Sequence, residues 1–167
     1  MPETLIHIVL PLFVLILAGF ELKKAFALSL LAILPDFDIL FGVHRSISHS
    51  LIFITLIFVP LLFLARKNKI NYILPAFFVI LSHPILDMFT GYTPILYPLY
   101  GKSVYIVANL TVNTVNLMDI RFRFKIYEIP TTFHLIETDA PIFTNYGIAV
   151  SLALLTALFI NHLKGSR

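Results

Sequence analysis

A chain of 167 residues that is 59% hydrophobic, with a mean hydropathy of +0.93, lies far above the roughly 45–50% apolar usage of ordinary soluble domains. It is the size of one domain, and no polar linker or internal repeat divides it. The formal charge of +3 does not imply nucleic acid, because no basic run exceeds the three cations of Arg66-Lys67-Asn68-Lys69, and the lack of cysteine excludes disulfides and thiolate metal sites.

In chain order the apolar runs read as about five transmembrane helices. Residues 5–20 are apolar except for His7, and Lys23 and Lys24 follow them. A secretory leader would place its cations first, so this run reads as a retained first span with its N-terminus outward. The second, residues 25–41, crosses Pro35, which has no N–H to donate and disfavours helix at the residue before it. The helix is therefore expected to end or kink there, leaving Asp36 and Asp38 on irregular backbone at a membrane edge. Residues 42–48 read as a turn with Ser46 and Ser48 as candidate N-caps. Residues 49–65 form the third span. The fourth, residues 70–89, is close to the roughly 20 residues that cross about 30 Å of hydrocarbon, and its last turn carries His83 and Asp87. Residues 147–163 form the fifth.

Between the fourth and fifth spans the pattern changes period. Residues 119–129 alternate, with Arg121, Arg123 and Lys125 on one face and Phe122, Phe124 and Ile126 on the other, the signature of a half-buried strand. Residues 105–115 are also β-prone, so residues 102–146 are expected to form a small β-rich extracytoplasmic insertion within a single membrane domain. Positive loops inside would put Lys23, Lys24, Arg66, Lys67, Lys69, Lys164 and Arg167 on the cytoplasmic side. The same count predicts a cell-membrane protein with its N-terminus outside and its C-terminus cytoplasmic. It also gathers His7, Asp36, Asp38, His44, His49, His83 and Asp87 toward the outer ends of their helices.

That gathering is what suits metal chemistry. His83 and Asp87, four residues apart, project from one helical face and can share an ion. Asp36, Asp38, His44 and His49 come from a different hairpin, and His7 can reach in from the first span. Four imidazoles and three carboxylates fit one or two divalent cations, zinc first, with manganese or magnesium open given the oxygen content. Two ions can hold a bridging water and clamp both oxygens of an in-line phosphoryl displacement. Arg45 can fork onto a phosphate, or it can simply pair with Asp36 or Asp38. His134 and His162 read as bystanders, and the cationic stripe as a solvated strand face or a surface for anionic headgroups.

The motifs resemble the YdjM-type membrane-bound metal-dependent hydrolases. The likeness rests on LIHIVLP near the N-terminus, LPDFD at residues 34–38, HRSISHSL at 44–51 and LSHPILDMFTGYTPILYP at 81–98, in order over roughly the first 100 residues. It implies hydrolysis, with His7, Asp36, Asp38, His44, His49, His83 and Asp87 as metal-site residues. The family is distantly similar to zinc-dependent phospholipases C and single-strand-specific nucleases, whose clusters also use an HxxxD helix pair. No second HxxxD or HxxxE occurs here, which favours one or two ions over three. Ser46 and Ser48 stand where the family usually has Gly and Thr, and residues 102–146 draw no support from the likeness.

The sequence thus reads as a membrane-embedded hydrolase cleaving a phosphoester in a lipid or lipid-linked substrate. His49, His83, Asp87 and one of Asp36 and Asp38 would hold the principal metal, while Asp36, Asp38, His44 and Arg45 would carry the chemistry. Membrane lipid would be both environment and substrate, with no nucleic acid partner. The alternative is a non-enzymatic metal-binding membrane protein, either an ion carrier or a metal-stabilised scaffold. A carrier should place polar groups near mid-membrane and often shows repeated halves, and neither is read here.

Overall fold

Each apolar run overlaps a helix whose bounds differ from those of the run. The computed structural model describes residues 4–68, 71–112, 120–133 and 143–165. In it α1 spans Thr4–Leu17, α2 Leu22–Ser29, α3 Leu51–Asn68, α4 Ile73–Asp87 and α5 Asn145–Gly165. Strands β1 (Lys102–Val112) and β2 (Ile120–Pro130) lie between α4 and α5. A 3-10 segment, Leu30–Phe41, continues α2, and a short one, Ile47–His49, precedes α3.

Among the described residues no helix is long and apolar enough to cross a membrane, which corrects the expected five transmembrane helices. The physical reason is length. α1 and α4 have 14 and 15 residues, and at about 1.5 Å per residue they fall well short of about 30 Å. α3 ends on Arg66 and Lys67, and α5 opens on Asn145 and carries Asn161 near its end, so their apolar stretches, 51–65 and 146–160, are no longer. The second run is not one helix at all. α2 stops at Ser29, and the chain from Leu30 to Phe41 tightens to 3-10 winding around Pro35 rather than ending there.

The helical body is built on α1, which packs against α2, α4, α5 and the 3-10 segment, while α4 packs against α3 and the 3-10 segment. Leu12, Leu15, Ala25, Ala32 and Val79 form the core, with Ile16, Phe20, Leu28 and Leu31 against it. Ala25 of α2 and Ala32 of the 3-10 segment are fully buried, small side chains at the packing of both segments on α1. The outside is apolar too: Leu40, Phe41, Phe63 and Leu99 are 72–84% exposed.

The two strands pair antiparallel with Lys102 opposite Pro130 and Val112 opposite Ile120. Because side chains alternate along a strand, this register sorts the ribbon into two faces. Ile106, Ala108, Leu110 and Val112 stand beside Ile126, Phe124, Phe122 and Ile120, and Asn109 and Thr111 stand beside Arg123 and Arg121. The alternation read in the sequence falls on β2. Residues 113–119 and 134–142 of the expected insertion, His134 included, lie outside the described residues, as does the side chain of His162. The ribbon is rooted where Thr93 and Val104 exchange backbone hydrogen bonds of 2.9 Å and the Ile106 N–H donates to Met88 O at 2.7 Å. The Leu51 N–H donates to Ile95 O at 2.9 Å. The start of α3, the end of α4 and the root of the hairpin are thereby fixed at one end of the molecule.

Candidate metal centre

At that end four elements deliver polar side chains into an otherwise apolar body. α1 supplies His7, the 3-10 segment Asp36 and Asp38, the short 3-10 turn His49, and α4 supplies His83 and Asp87. All six are at most 8% exposed. Buried ionisable groups are costly unless paired, so their convergence needs a physical reason.

The tightest group is Asp36, His49, His83 and Asp87, each offering one ligand atom within 4.8 Å of the others. Asp36 Oδ1 lies 3.3 Å from His83 Nε2 and 3.5 Å from His49 Nε2. Asp87 Oδ2 lies 3.3 Å from His49 Nε2 and 3.6 Å from His83 Nε2. The two Nε2 atoms are 3.2 Å apart. Ligands about 2.0–2.1 Å from a tetrahedral zinc stand about 3.3–3.4 Å from one another, so these spacings match the edges of such a tetrahedron. The donor set fits as well. Ionised carboxylates and imidazole lone pairs are acceptors, and Asp36 Oδ1 is buried without a hydrogen bond. A divalent cation fits this donor set.

Backbone geometry explains why Asp36 and not Asp38 joins the group. In 3-10 winding, at about three residues per turn, side chains two apart point in directions about 120° apart. Asp36 therefore faces the two Nε2 atoms, and Asp38 meets the opposite edge of His49, with Oδ2 3.3 Å from Nδ1. Asp38 is itself held, accepting from the Ser46 N–H at 2.8 Å and lying 3.1 Å from Ser48 Oγ. A carboxylate on Nδ1 fixes the ring and leaves Nε2 free for a metal. Gly42, at φ 71°, caps the 3-10 segment in the left-handed conformation and turns the chain toward His44 and Arg45.

His44 closes a second group with Asp38 and His49. Its Nδ1 is 3.5 Å from Asp36 Oδ1 and 3.6 Å from Asp38 Oδ1, and both of its ring nitrogens are buried without a hydrogen bond. His7 Nε2 lies 3.4 Å from Asp87 Oδ1, on the far side of that carboxylate. Arg45 pairs with neither Asp36 nor Asp38, correcting that expectation. It adopts φ 58°, donates from Nε to Asp87 Oδ2 at 3.2 Å, and donates from one terminal nitrogen to Thr90 Oγ1 at 2.6 Å. Sequence reading missed Thr90 and Gly91. A Cβ at Gly91 would overlap the Arg45 guanidinium, and the available signal was a glycine placed just after the HxxxD helix.

The electrostatics of the cluster follow from its burial and its imidazole–carboxylate contacts. Burial alone would raise Asp36, Asp38 and Asp87, yet their imidazole neighbours, together with the Ser46 N–H at Asp38 and Arg45 at Asp87, hold all three well below the usual carboxylate range. Burial opposes charge on His49, but Asp36, Asp38 and Asp87 push it up to about 10. Burial keeps His83 below its ordinary value, Asp36 only partly offsetting it.

Fold and site together define a helical protein with an apolar exterior and a buried His/Asp centre of metal-binding type. The chain belongs to the YdjM inner membrane protein family, whose model matches residues 1–163. The likeness read in the motifs is thereby established and extends across the hairpin. The family description places the protein at the inner membrane. No curated protein and no solved structure matched the chain.

Proposed function

We propose that this protein is a membrane-bound, divalent-metal-dependent hydrolase that cleaves a phosphoester in a lipid or lipid-linked substrate. The observation that carries the reading is the set of four buried ligand atoms 3.2–3.6 Å apart in every measured pair. Asp36, His49, His83 and Asp87 hold the principal ion. A divalent ion there, zinc first and manganese or magnesium next, supplies Lewis-acid polarisation of a phosphoryl oxygen and acidifies water. Asp38 orients His49. His44, the most exposed imidazole of the cluster at 15%, faces Asp36 and Asp38 and is placed to take a proton from attacking water or to join a second ion. His7 supports Asp87 from the opposite side. Arg45 carries a fixed positive charge against the cluster and stabilises negative charge developing on the phosphoryl oxygens.

Lipid is favoured because the site sits in an apolar body of an inner membrane protein. The test is turnover. Purified protein should hydrolyse a generic phosphodiester and a phospholipid, lose that activity to chelator and regain it with zinc or manganese. Metal bound in full without turnover on either ester would overturn the hydrolase reading and leave a metal-stabilised scaffold.

A further inference from the structure

Between α1 and α4 runs an apolar groove of about 350 Å³, within the roughly 300–1,000 Å³ range of small-ligand sites. Buried Leu15 and Val79 form its floor, and half-exposed Val14, Leu74 and Phe78 form its walls. Ser82 is the one polar side chain among its lining residues, and its hydroxyl is turned back onto Val79 O at 2.6 Å. The groove therefore offers hydrocarbon contact and no hydrogen bonds.

Its direction is set by helical spacing. Residues three and four apart share a face, so His7, Pro11 and Val14 form one stripe of α1, with Ala18 in the turn just beyond it. Pro75, Val79, His83 and Asp87 form one stripe of α4. Both walls lead by single turns from the groove into the metal centre, at the His7 and His83 end. From Leu74 to Ser82 the groove extends about 12 Å, whereas a helix with its side chains is about 10–12 Å across and would not seat in a cleft of this volume. A flexible alkyl chain does.

We propose that this groove binds the hydrocarbon chain of a lipid ligand, with the chain running along α1 and α4 away from the His/Asp cluster and the phosphate headgroup at the cluster. Placing the headgroup there rests on the hydrolase reading; chain binding itself does not. The protein contains no tryptophan, so Phe78→Trp installs a single reporter in the groove wall. Phe63→Trp, at a position of α3 that is 72% exposed, serves as the control. The probe is a single-chain phospholipid brominated at mid-chain, titrated into purified full-length protein in detergent. Quenching of Phe78→Trp should saturate, and adding Ala18→Phe, which adds bulk at a lining position away from the cluster, should weaken it about tenfold, the equivalent of about two buried methylenes. Phe63→Trp should show only unsaturable quenching. Identical, unsaturable quenching at both positions, or no effect of Ala18→Phe, overturns the proposal. Wild-type turnover of the phospholipid is measured in parallel. Saturable quenching with metal bound in full and no turnover of either the phospholipid or the generic phosphodiester removes the hydrolase reading and leaves the groove.

Discussion

His49 is the residue on which the centre turns, because both of its ring nitrogens are committed to different tasks. Nε2 faces Asp36, His83 and Asp87, while Nδ1 faces Asp38 and Ser48. Asp38→Asn should therefore lower zinc affinity about 10–100-fold, as loss of an orienting carboxylate does elsewhere, without removing a ligand of the principal ion. Competition against a chelating dye measures this, and unchanged affinity would show that Asp38 does not orient the ring. The pH dependence follows from the same contacts. His49 is raised when folded, to about 10, against about 6.5 unfolded. Its contribution to metal-free stability is thus fully present below about pH 6.5 and lost as pH rises through about 10. The depressed carboxylates contribute above about pH 3.9 and lose that contribution as pH falls below it. His83, held low by burial, costs stability as pH falls below about 6.5, so the metal-free protein should melt highest near about pH 6.5. Zinc binding, by contrast, requires neutral His49, so the zinc-bound protein should gain stability from pH 5 to 7. Melting curves with and without zinc report both slopes, and parallel curves would contradict this account.

At the scale of elements, the 3-10 segment and the α4 turn decide what the sequence disclosed. The HxxxD spacing of His83 and Asp87 was legible because helical phase is local. The choice between Asp36 and Asp38 was not, since it depends on 3-10 rather than α winding around Pro35. The Arg45–Asp87 pair was invisible, being a contact across 42 residues that no periodicity encodes. The apolar runs were read as spans because composition marks hydrophobic length, while helix breaks at Ser29 and helix-end polar residues set the actual length. Gly91 makes the Arg45 geometry testable. Gly91→Ala should displace the guanidinium and lower turnover about as much as Arg45→Ala. The double variant should add little, the signature of residues acting through one contact. Additive losses would separate the two.

For the whole molecule, the exterior is apolar, the hairpin has two faces, and no helix among the described residues is long and apolar enough to cross a membrane. Phe122, Phe124 and Ile126 are 54–67% exposed on one face, and the strand's cations stand on the other. Phe122→Ser with Phe124→Ser should raise the fraction released from membranes by alkaline extraction; unchanged retention would show that the hairpin is not part of the lipid contact. The central claim is the metal, and the most direct test is metal analysis of purified wild-type protein beside His83→Ala and Asp87→Ala. One or two equivalents of zinc or manganese in wild type, lost in both variants while circular dichroism stays helical, is the predicted result. Wild-type protein that remains metal-free after incubation with either ion would contradict it, leaving the cluster as a proton-stabilised polar core.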